Sequence, residues 1–148
     1  MTISLSSPDF GDGETIPRRF TCDGEDRSPQ LSWQGVPGAA VELALLVEDP
    51  DAPGGTFVHW VLWALDPTTT SLGQGEVPAG AQEGRNDFGR TGYAGPCPPR
   101  GRAHRYVFSL LALAQRLSLK PGATAEALRR EARGKVLAEG ALTGTYGR

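Results

Sequence analysis

The chain has 148 residues, of which 39% are hydrophobic and 22% charged, and its formal net charge is −2. This length and apolar content fit one domain spanning 1–148 and exclude a disordered chain. The sequence pI of about 5.7 argues against a nucleic-acid-binding protein. No apolar run reaches the roughly 18 residues of a membrane-spanning helix, and no signal peptide is visible at the start, so we expect a cytoplasmic protein.

Turn-forming residues are abundant, with 20 glycines and 12 prolines. This composition is unusual for a helical protein and predicts a mainly β fold with many turns. The two cysteines, Cys22 and Cys97, are too few for a disulfide framework and form no CxxC pair. We therefore expect buried or pocket-side thiols.

Three apolar segments have the length and the β-branched or aromatic content of strands. Residues 41–48 are apolar at odd positions, which predicts that one face of this strand is core. Residues 57–65 are apolar on both faces and predict a central strand that is covered on both sides. In the third segment, 104–114, His104 and Tyr106 point to the same face.

Weaker elements complete the pattern. Short strands are predicted at 3–6, 30–33 and 141–146, each beside turn residues. One helix is predicted over 124–137, with Thr124 as its N-cap and with apolar residues at helical spacing.

A long segment, 66–103, is rich in glycine and proline and has no sustained periodicity. Such segments are uncommon in compact domains unless they carry function, although a surface loop with a short strand or two inside is the plain alternative. Its run Gly-Pro-Cys-Pro-Pro at 95–99 is stiff, because proline fixes φ. A stiff loop holds backbone groups at fixed positions.

Four polar side chains lie where strands begin or end. Asp49 and Asp51 occupy a rigid acidic corner, Asp-Pro-Asp-Ala-Pro, directly after a predicted strand; a solvated turn is the alternative. The only two histidines, His59 and His104, lie in or at the start of predicted central strands. An imidazole buried there requires a polar partner.

These four residues admit three kinds of chemistry. Two histidines and a carboxylate are suitable ligands for a divalent metal, but the spacing matches no metal motif. An Asp–His pair suits acid–base hydrolysis, yet the sequence lacks a GxSxG nucleophile motif and Cys97 is flanked by prolines. Histidines and loop N–H groups also suit the binding of phosphate without turnover.

Short motifs occur in a fixed order along the whole chain: FTCDG at 20–24, DPDAP at 49–53, HW at 59–60, NDFG at 86–89, GPCPP at 95–99, HRY at 104–106 and GTYGR at 144–148. Each fragment alone is weak evidence. Together and in this order they resemble the phosphatidylethanolamine-binding protein family, in its bacterial Raf-kinase-inhibitor-like branch.

The resemblance implies a large antiparallel sheet packed on a smaller one, with one short helix near the C-terminus. It also implies a small anion pocket at the edge of the sheet. Carried over by position, the pocket residues are Asp49, Asp51, Phe57, His59, Gly95, Pro96, Cys97, His104 and Tyr106. Among them, the segment 95–97 is expected to supply backbone N–H groups, and Phe57 an aromatic wall.

The resemblance further implies non-catalytic binding of phosphate or a phosphorylated head group such as phosphoethanolamine, with no cofactor and no metal. A protein-docking module is the other class that stays open, because a proline-rich rim and Tyr93 suit a partner surface. Near-neutral charge and exposed strand edges are compatible with a homodimer. No protein partner is identified by the sequence.

Two aspartates beside an anion require compensation, because unit charges about 4 Å apart interact by roughly 4 kcal/mol at an effective dielectric of about 20. Either each carboxylate stabilises one histidine as imidazolium, or one aspartate is protonated and donates a hydrogen bond. Both arrangements predict tighter anion binding as the pH falls from 8 to 6.

Overall fold

The computed structural model describes residues 2–148. Within them the elements are β1 (Ser4–Ser6), a 3-10 helix (Arg18–Phe20), β2 (Leu31–Gln34), β3 (Glu42–Asp49), β4 (Phe57–Leu65), β5 (Ser71–Leu72), β6 (Gln82–Glu83), β7 (His104–Leu113), α1 (Ala125–Ala132) and β8 (Val136–Tyr146). Antiparallel pairing gives a three-stranded sheet, β1-β2-β5, and a five-stranded sheet, β6-β4-β3-β7-β8. The predicted mainly β fold, with a large and a small sheet and one short helix, is confirmed.

The main core lies between the two sheets. Trp33 of β2, Trp60 of β4 and Phe108 of β7 belong to one cluster of buried side chains. In the large sheet Val47 of β3 pairs with Trp60 on one side and with Phe108 on the other. Each large apolar side chain buried in this way contributes about 1.5–3 kcal/mol, so the core fixes these three strands relative to one another.

A second core lies on the other face of the large sheet, under α1. Leu128 of the helix clusters there with Leu46 of β3 and Trp63 of β4. The predicted core face of β3 is confirmed, and the helix covers the other face of the strand as well. Even Glu42 on this strand is only 5% exposed, and burial raises the pKa of its carboxyl.

The helix α1 begins where the sequence predicts, but it ends earlier than predicted. The N–H of Ala127 donates to Thr124 Oγ1 at 3.1 Å, which caps the first turn. The helix ends at Ala132 rather than at 137, because Gly134 adopts a left-handed φ of 77°. The chain then enters β8 at Val136 rather than at 141. No helix among the described residues is long and apolar enough to span a bilayer.

The segment 66–103 contains the two short strands β5 and β6, which fits the alternative of a surface loop with a short strand or two inside. Beyond them it returns along the start of β4: Asp87 Oδ2 accepts from the N–H of Val58 at 2.7 Å, and the N–H of Ala94 donates to the carbonyl of His59 at 3.0 Å. These hydrogen bonds bring the proline-rich part of the segment next to the ends of the central strands.

Candidate ligand-binding site

A cavity of about 190 Å³ lies at one end of the large sheet. Strand β3 ends at Asp49, and its antiparallel neighbours β4 and β7 begin at Phe57 and His104, so the three ends meet at the same edge. The side chains that line the cavity are Asp49, Ala52, Pro53, Phe57, His59, Phe88, Cys97, Pro98, Pro99, His104 and Tyr106.

Three of the nine residues predicted for the pocket do not line this cavity. Asp51 lies beyond the end of β3 and binds the Arg105 guanidinium through both carboxylate oxygens, at 2.9 and 3.0 Å. This contact holds the pKa of Asp51 well below its usual range. The N–H of Gly95 donates to Asp26 Oδ1 at 2.7 Å, and Pro96 has no N–H to offer. Of the segment 95–97, only Cys97 reaches the cavity.

Asp49 and His104 form a buried pair in the cavity wall. Asp49 Oδ2 lies 2.7 Å from His104 Nδ1, and Asp49 Oδ1 accepts from the N–H of Asp51 at 2.7 Å. Both oxygens of Asp49 are thus occupied. Because an ionised carboxylate only accepts hydrogen bonds, His104 Nδ1 carries the hydrogen and Nε2 is left for a ligand.

His59 is held in a different way. Its Nδ1 lies 2.6 Å from the carbonyl oxygen of Ala94, which only accepts, so Nδ1 again carries the hydrogen. The residue is 3% exposed, and desolvation lowers the pKa of its imidazole. The expectation that each histidine is paired with a carboxylate is therefore wrong for His59, which stays neutral at pH 7 and presents Nε2 as an acceptor.

Tyr106 supplies the third polar group. Its ring packs edge-on against His59, with 5.2 Å between the ring centroids. Its hydroxyl is the only buried side-chain nitrogen or oxygen among residues 2–148 that has no hydrogen-bond partner. Burial raises the pKa of Tyr106, so the hydroxyl keeps its proton. An unpaired buried hydroxyl is costly and points to a missing partner.

The metal alternative requires at least three ligands at one point. Among the described residues no three His, Cys, Asp or Glu side chains are grouped in a way that could hold a metal ion. Asp49 is engaged with His104 Nδ1, and His59 Nδ1 is engaged with a backbone carbonyl. The arrangement leaves the Nε2 atoms of His59 and His104 and the hydroxyl of Tyr106 without a side-chain or backbone hydrogen bond among the described residues.

Phe88 forms part of the cavity wall and was missed by the sequence reasoning. Its ring lies edge-on to Phe57, with centroids 4.8 Å apart. Asn86 Oδ1 accepts from the N–H groups of Phe88 and Arg90, at 3.0 and 3.2 Å, and so shapes the turn that presents the ring. An aromatic residue directly after an Asn-Asp turn pair was the available signal.

The two cysteines are joined in a disulfide, which corrects the expectation of free thiols. Cys22 follows the 3-10 helix and Cys97 lies in the cavity wall, 75 residues away, with 5.4 Å between their Cα atoms. The Arg148 guanidinium contacts this wall, with Nη1 3.3 Å from the carbonyl oxygen of Pro98 and 3.7 Å from the sulfur of Cys97.

This chain matches known proteins over almost its full length, both in sequence and in structure. The sequence model for phosphatidylethanolamine-binding proteins matches residues 6–147. A UPF0098 protein of Methanothermobacter thermautotrophicus is 47% identical over 151 residues, which cover 99% of each chain. The crystal structure of CT736 from Chlamydia trachomatis superposes with a TM-score of 0.94 at 38% identity, covering 99% of this chain and 98% of that one. YbcL of Escherichia coli gives a TM-score of 0.93 at 30% identity, covering 100% and 99% of the two chains. The chain therefore belongs to the phosphatidylethanolamine-binding protein family.

Proposed function

We propose that this protein binds phosphate, free or as a small phosphorylated head group such as phosphoethanolamine, in the cavity and releases it unchanged. The observation that carries the proposal is the buried hydroxyl of Tyr106, which lacks a hydrogen-bond partner in a residue that lines the cavity. A few convergent polar groups in an otherwise apolar cavity are typical of a ligand site. A phosphoryl oxygen is an acceptor that satisfies this donor.

The volume supports a small ligand. About 190 Å³ is less than the roughly 300–1,000 Å³ of sites for drug-sized molecules. The cavity therefore suits a phosphate group with a short organic substituent, whose apolar part lies against Phe57 and Phe88.

The polar groups are compatible with a singly protonated phosphate. The Tyr106 hydroxyl donates to one phosphoryl oxygen, and a protonated His104 donates to another through Nε2. Neutral His59 presents an acceptor at Nε2 and so suits the P–OH group of the monoanion. The second pKa of a phosphate group is about 6, so the monoanion becomes more abundant as the pH falls, which favours tighter binding at pH 6 than at pH 8.

The placement of the carboxylates supports an anion rather than a cation. Asp49 directs both oxygens to protein donors, and Asp51 faces Arg105 outside the cavity. Their negative charges are therefore partly compensated before a ligand arrives. This reduces the Coulomb repulsion that two free aspartates would impose.

The lining favours binding over hydrolysis. Among the described residues that line the cavity there is no serine, threonine or lysine, and the sulfur of Cys97 is engaged in the disulfide. Covalent catalysis needs an activated nucleophile of one of these kinds, or a histidine, carboxylate or tyrosine in that role, and burial raises the pKa of Tyr106, which disfavours its anion. Asp49 is engaged with His104 Nδ1, so it orients His104, whose Nε2 is left to contact the ligand.

Calorimetric titration tests the proposal. Metal-stripped protein is titrated with phosphoethanolamine and with inorganic phosphate at pH 6 and pH 8, alongside His104→Ala. We expect saturable binding that is tighter at pH 6 and lost in the variant. Absence of binding at both pH values would overturn the proposal, and binding that appears only with an added divalent metal would favour a metal site. Release of inorganic phosphate from phosphoethanolamine would contradict binding without turnover.

A further inference from the structure

The disulfide connects the cavity wall to a distant part of the chain. Cys97 lines the cavity, whereas its partner Cys22 follows the 3-10 helix on the outside. The same wall also positions a pocket histidine, because the carbonyl of Ala94 accepts from His59 Nδ1. The N–H groups of Ala94 and Gly95 are bonded to His59 and Asp26, so movement at Cys97 changes the shape of the cavity directly beside the acceptor that orients His59.

The segment 96–99 has few other attachments. Pro96, Pro98 and Pro99 have no N–H, and the N–H of Cys97 donates to none of the described residues. The remaining hydrogen bonds of the segment have three acceptors: the carbonyl of Pro96 accepts from the N–H of Cys22 at 3.1 Å, and the carbonyl of Pro98 and the sulfur of Cys97 accept from the partly exposed Arg148. Pro96 and Pro98 are buried and held by packing, so the disulfide is the one covalent link of this segment to a distant part of the chain.

The two cysteines of the disulfide are partly exposed, which favours attack by a thiol. Neither Cys22 nor Cys97 is fully buried. Arg148 Nη1 lies 3.7 Å from Cys97 Sγ and favours negative charge on that sulfur, and Asp23, 3.3 Å from Arg148 Nε, partly offsets this charge. A thiolate that leaves more easily speeds exchange, so attack at Cys22 Sγ with departure of Cys97 is the favoured direction.

We propose that the Cys22–Cys97 disulfide is a redox-controlled attachment of the cavity wall. A dithiol reductant opens the disulfide, which leaves Cys97 as a free thiol in the cavity wall and weakens anion binding. The reductant's first thiolate attacks Cys22 and its second thiol resolves the mixed disulfide. Two electrons and two protons pass to the protein, which gains two thiols, while the reductant becomes a disulfide.

Both consequences of reduction act in the same direction. A wall without its covalent attachment samples more conformations, so ordering it around a ligand costs more conformational entropy. A Cys97 thiolate, where it forms, places negative charge beside a bound anion. Reduction is therefore expected to weaken phosphate binding by roughly two- to tenfold. This binding effect rests on the proposed function.

The test compares oxidised, dithiothreitol-reduced and reoxidised protein. A thiol assay on folded protein is expected to rise from zero to two, and phosphate affinity at pH 6 to fall on reduction and return on reoxidation. The double variant Cys22→Ser with Cys97→Ser is expected to bind as weakly as reduced protein and to ignore dithiothreitol. A disulfide that resists reduction without denaturant, or reduction that unfolds the whole chain, would overturn the proposal.

A second measurement does not depend on any ligand. Amide hydrogen exchange at Gly95 and Cys22, whose N–H groups donate to Asp26 and to the carbonyl of Pro96, is expected to accelerate on reduction, while exchange at Ser109 in β7 stays unchanged. If oxidised protein fails to bind phosphate, the proposed function fails, and the exchange data still decide whether the disulfide holds the wall. Equal exchange rates and equal affinities in both redox states would contradict the proposal.

Discussion

Asp49 Oδ2 and His104 Nδ1 lie 2.7 Å apart, although 55 positions separate the two residues in the sequence. The contact exists because β3 ends where its antiparallel neighbour β7 begins. Both side chains are buried, at 3% and 8% exposure, so the pair is shielded from solvent. In this geometry Asp49 orients His104 and compensates its charge, rather than simply repelling an anion.

Asp49→Asn is therefore expected to weaken phosphate binding at pH 6 by about tenfold or more, because a charge-assisted hydrogen bond contributes about 1.5–3 kcal/mol. Asp51→Asn is the matched control, since Asp51 faces Arg105 outside the cavity. The affinity of this variant for phosphate should stay within about twofold of the wild type. Calorimetry on both variants measures the difference. Tighter binding by Asp49→Asn would mean that the carboxylate mainly repels the ligand.

Tyr106→Phe is expected to separate binding from stability. The Tyr106 hydroxyl has no partner in the ligand-free protein, so its removal should leave the free energy of unfolding unchanged or raise it by about 1 kcal/mol. Phosphate affinity should fall by about fivefold, the value of roughly one hydrogen bond. Urea unfolding and calorimetry measure the two quantities.

Tyr93→Phe is the matched control, for which we expect a loss of stability without a loss of phosphate affinity. The Tyr93 hydroxyl donates to the carbonyl of Phe20 at 2.6 Å, so its removal should destabilise the protein by about 1 kcal/mol. Phosphate affinity should change little, because Tyr93 does not line the cavity. Equal effects of the two variants on affinity would argue against a ligand at the Tyr106 hydroxyl.

The lowered pKa of His59 predicts acid sensitivity of the fold. The unfolded chain takes up a proton at His59 near pH 6.5, whereas burial makes the folded protein resist protonation until a lower pH. Since the unfolded state then binds more protons, this contribution to stability is fully present above pH 6.5 and is lost as the pH falls towards the folded pKa.

We expect the free energy of unfolding, measured in urea at pH 7.5 and 5.5, to decrease more in the wild type than in His59→Gln. Asp51 also has a lowered pKa, but its contribution is lost only below about pH 4, the range of unfolded aspartate, so Asp51→Asn should keep the wild-type difference. An identical pH dependence in wild type and His59→Gln would show that His59 does not carry the effect.

Gly95→Ala is expected to disturb the cavity wall through steric overlap of the added Cβ. An added Cβ at this position would overlap the carbonyl oxygen of Phe20 and approach Asp26 Oδ1. Overpacking of this kind costs about 1–3 kcal/mol, which thermal or urea unfolding measures. Gly54→Ala is the control, because no atom lies within 4 Å of its added Cβ. Equal stability of the two variants would contradict the tight packing of Gly95 on Phe20.

The strands that carry the site could be predicted because their pattern is local. β4 is apolar on both faces, and it is observed over the predicted residues. The common face of His104 and Tyr106 follows directly from the period of a strand. The end of α1 was harder to predict, because Val136 continues the apolar stripe of the helix. Only the conformation of Gly134 separates the helix from the strand.

Features that depend on contacts between distant parts of the chain could not be predicted from a local pattern. Two cysteines 75 residues apart carry no spacing signal for a disulfide, and nothing in the motif at 49–53 indicates that Asp49 faces the cavity while Asp51 faces Arg105. That distinction arises because β3 ends at Asp49, so the alternation of a strand does not extend to Asp51. The cytoplasmic location and the homodimer stay predictions.

The Cys22–Cys97 bond also determines what a single backbone cleavage does. It closes a covalent ring that contains β2 to β6, including the exposed turn at Gly54 and Gly55. A protease that nicks this turn leaves both fragments on one molecule, which migrates as an intact chain on a non-reducing gel. A nick after the ring, between β7 and α1, leaves the fragments held only by packing, and a denaturant then separates them.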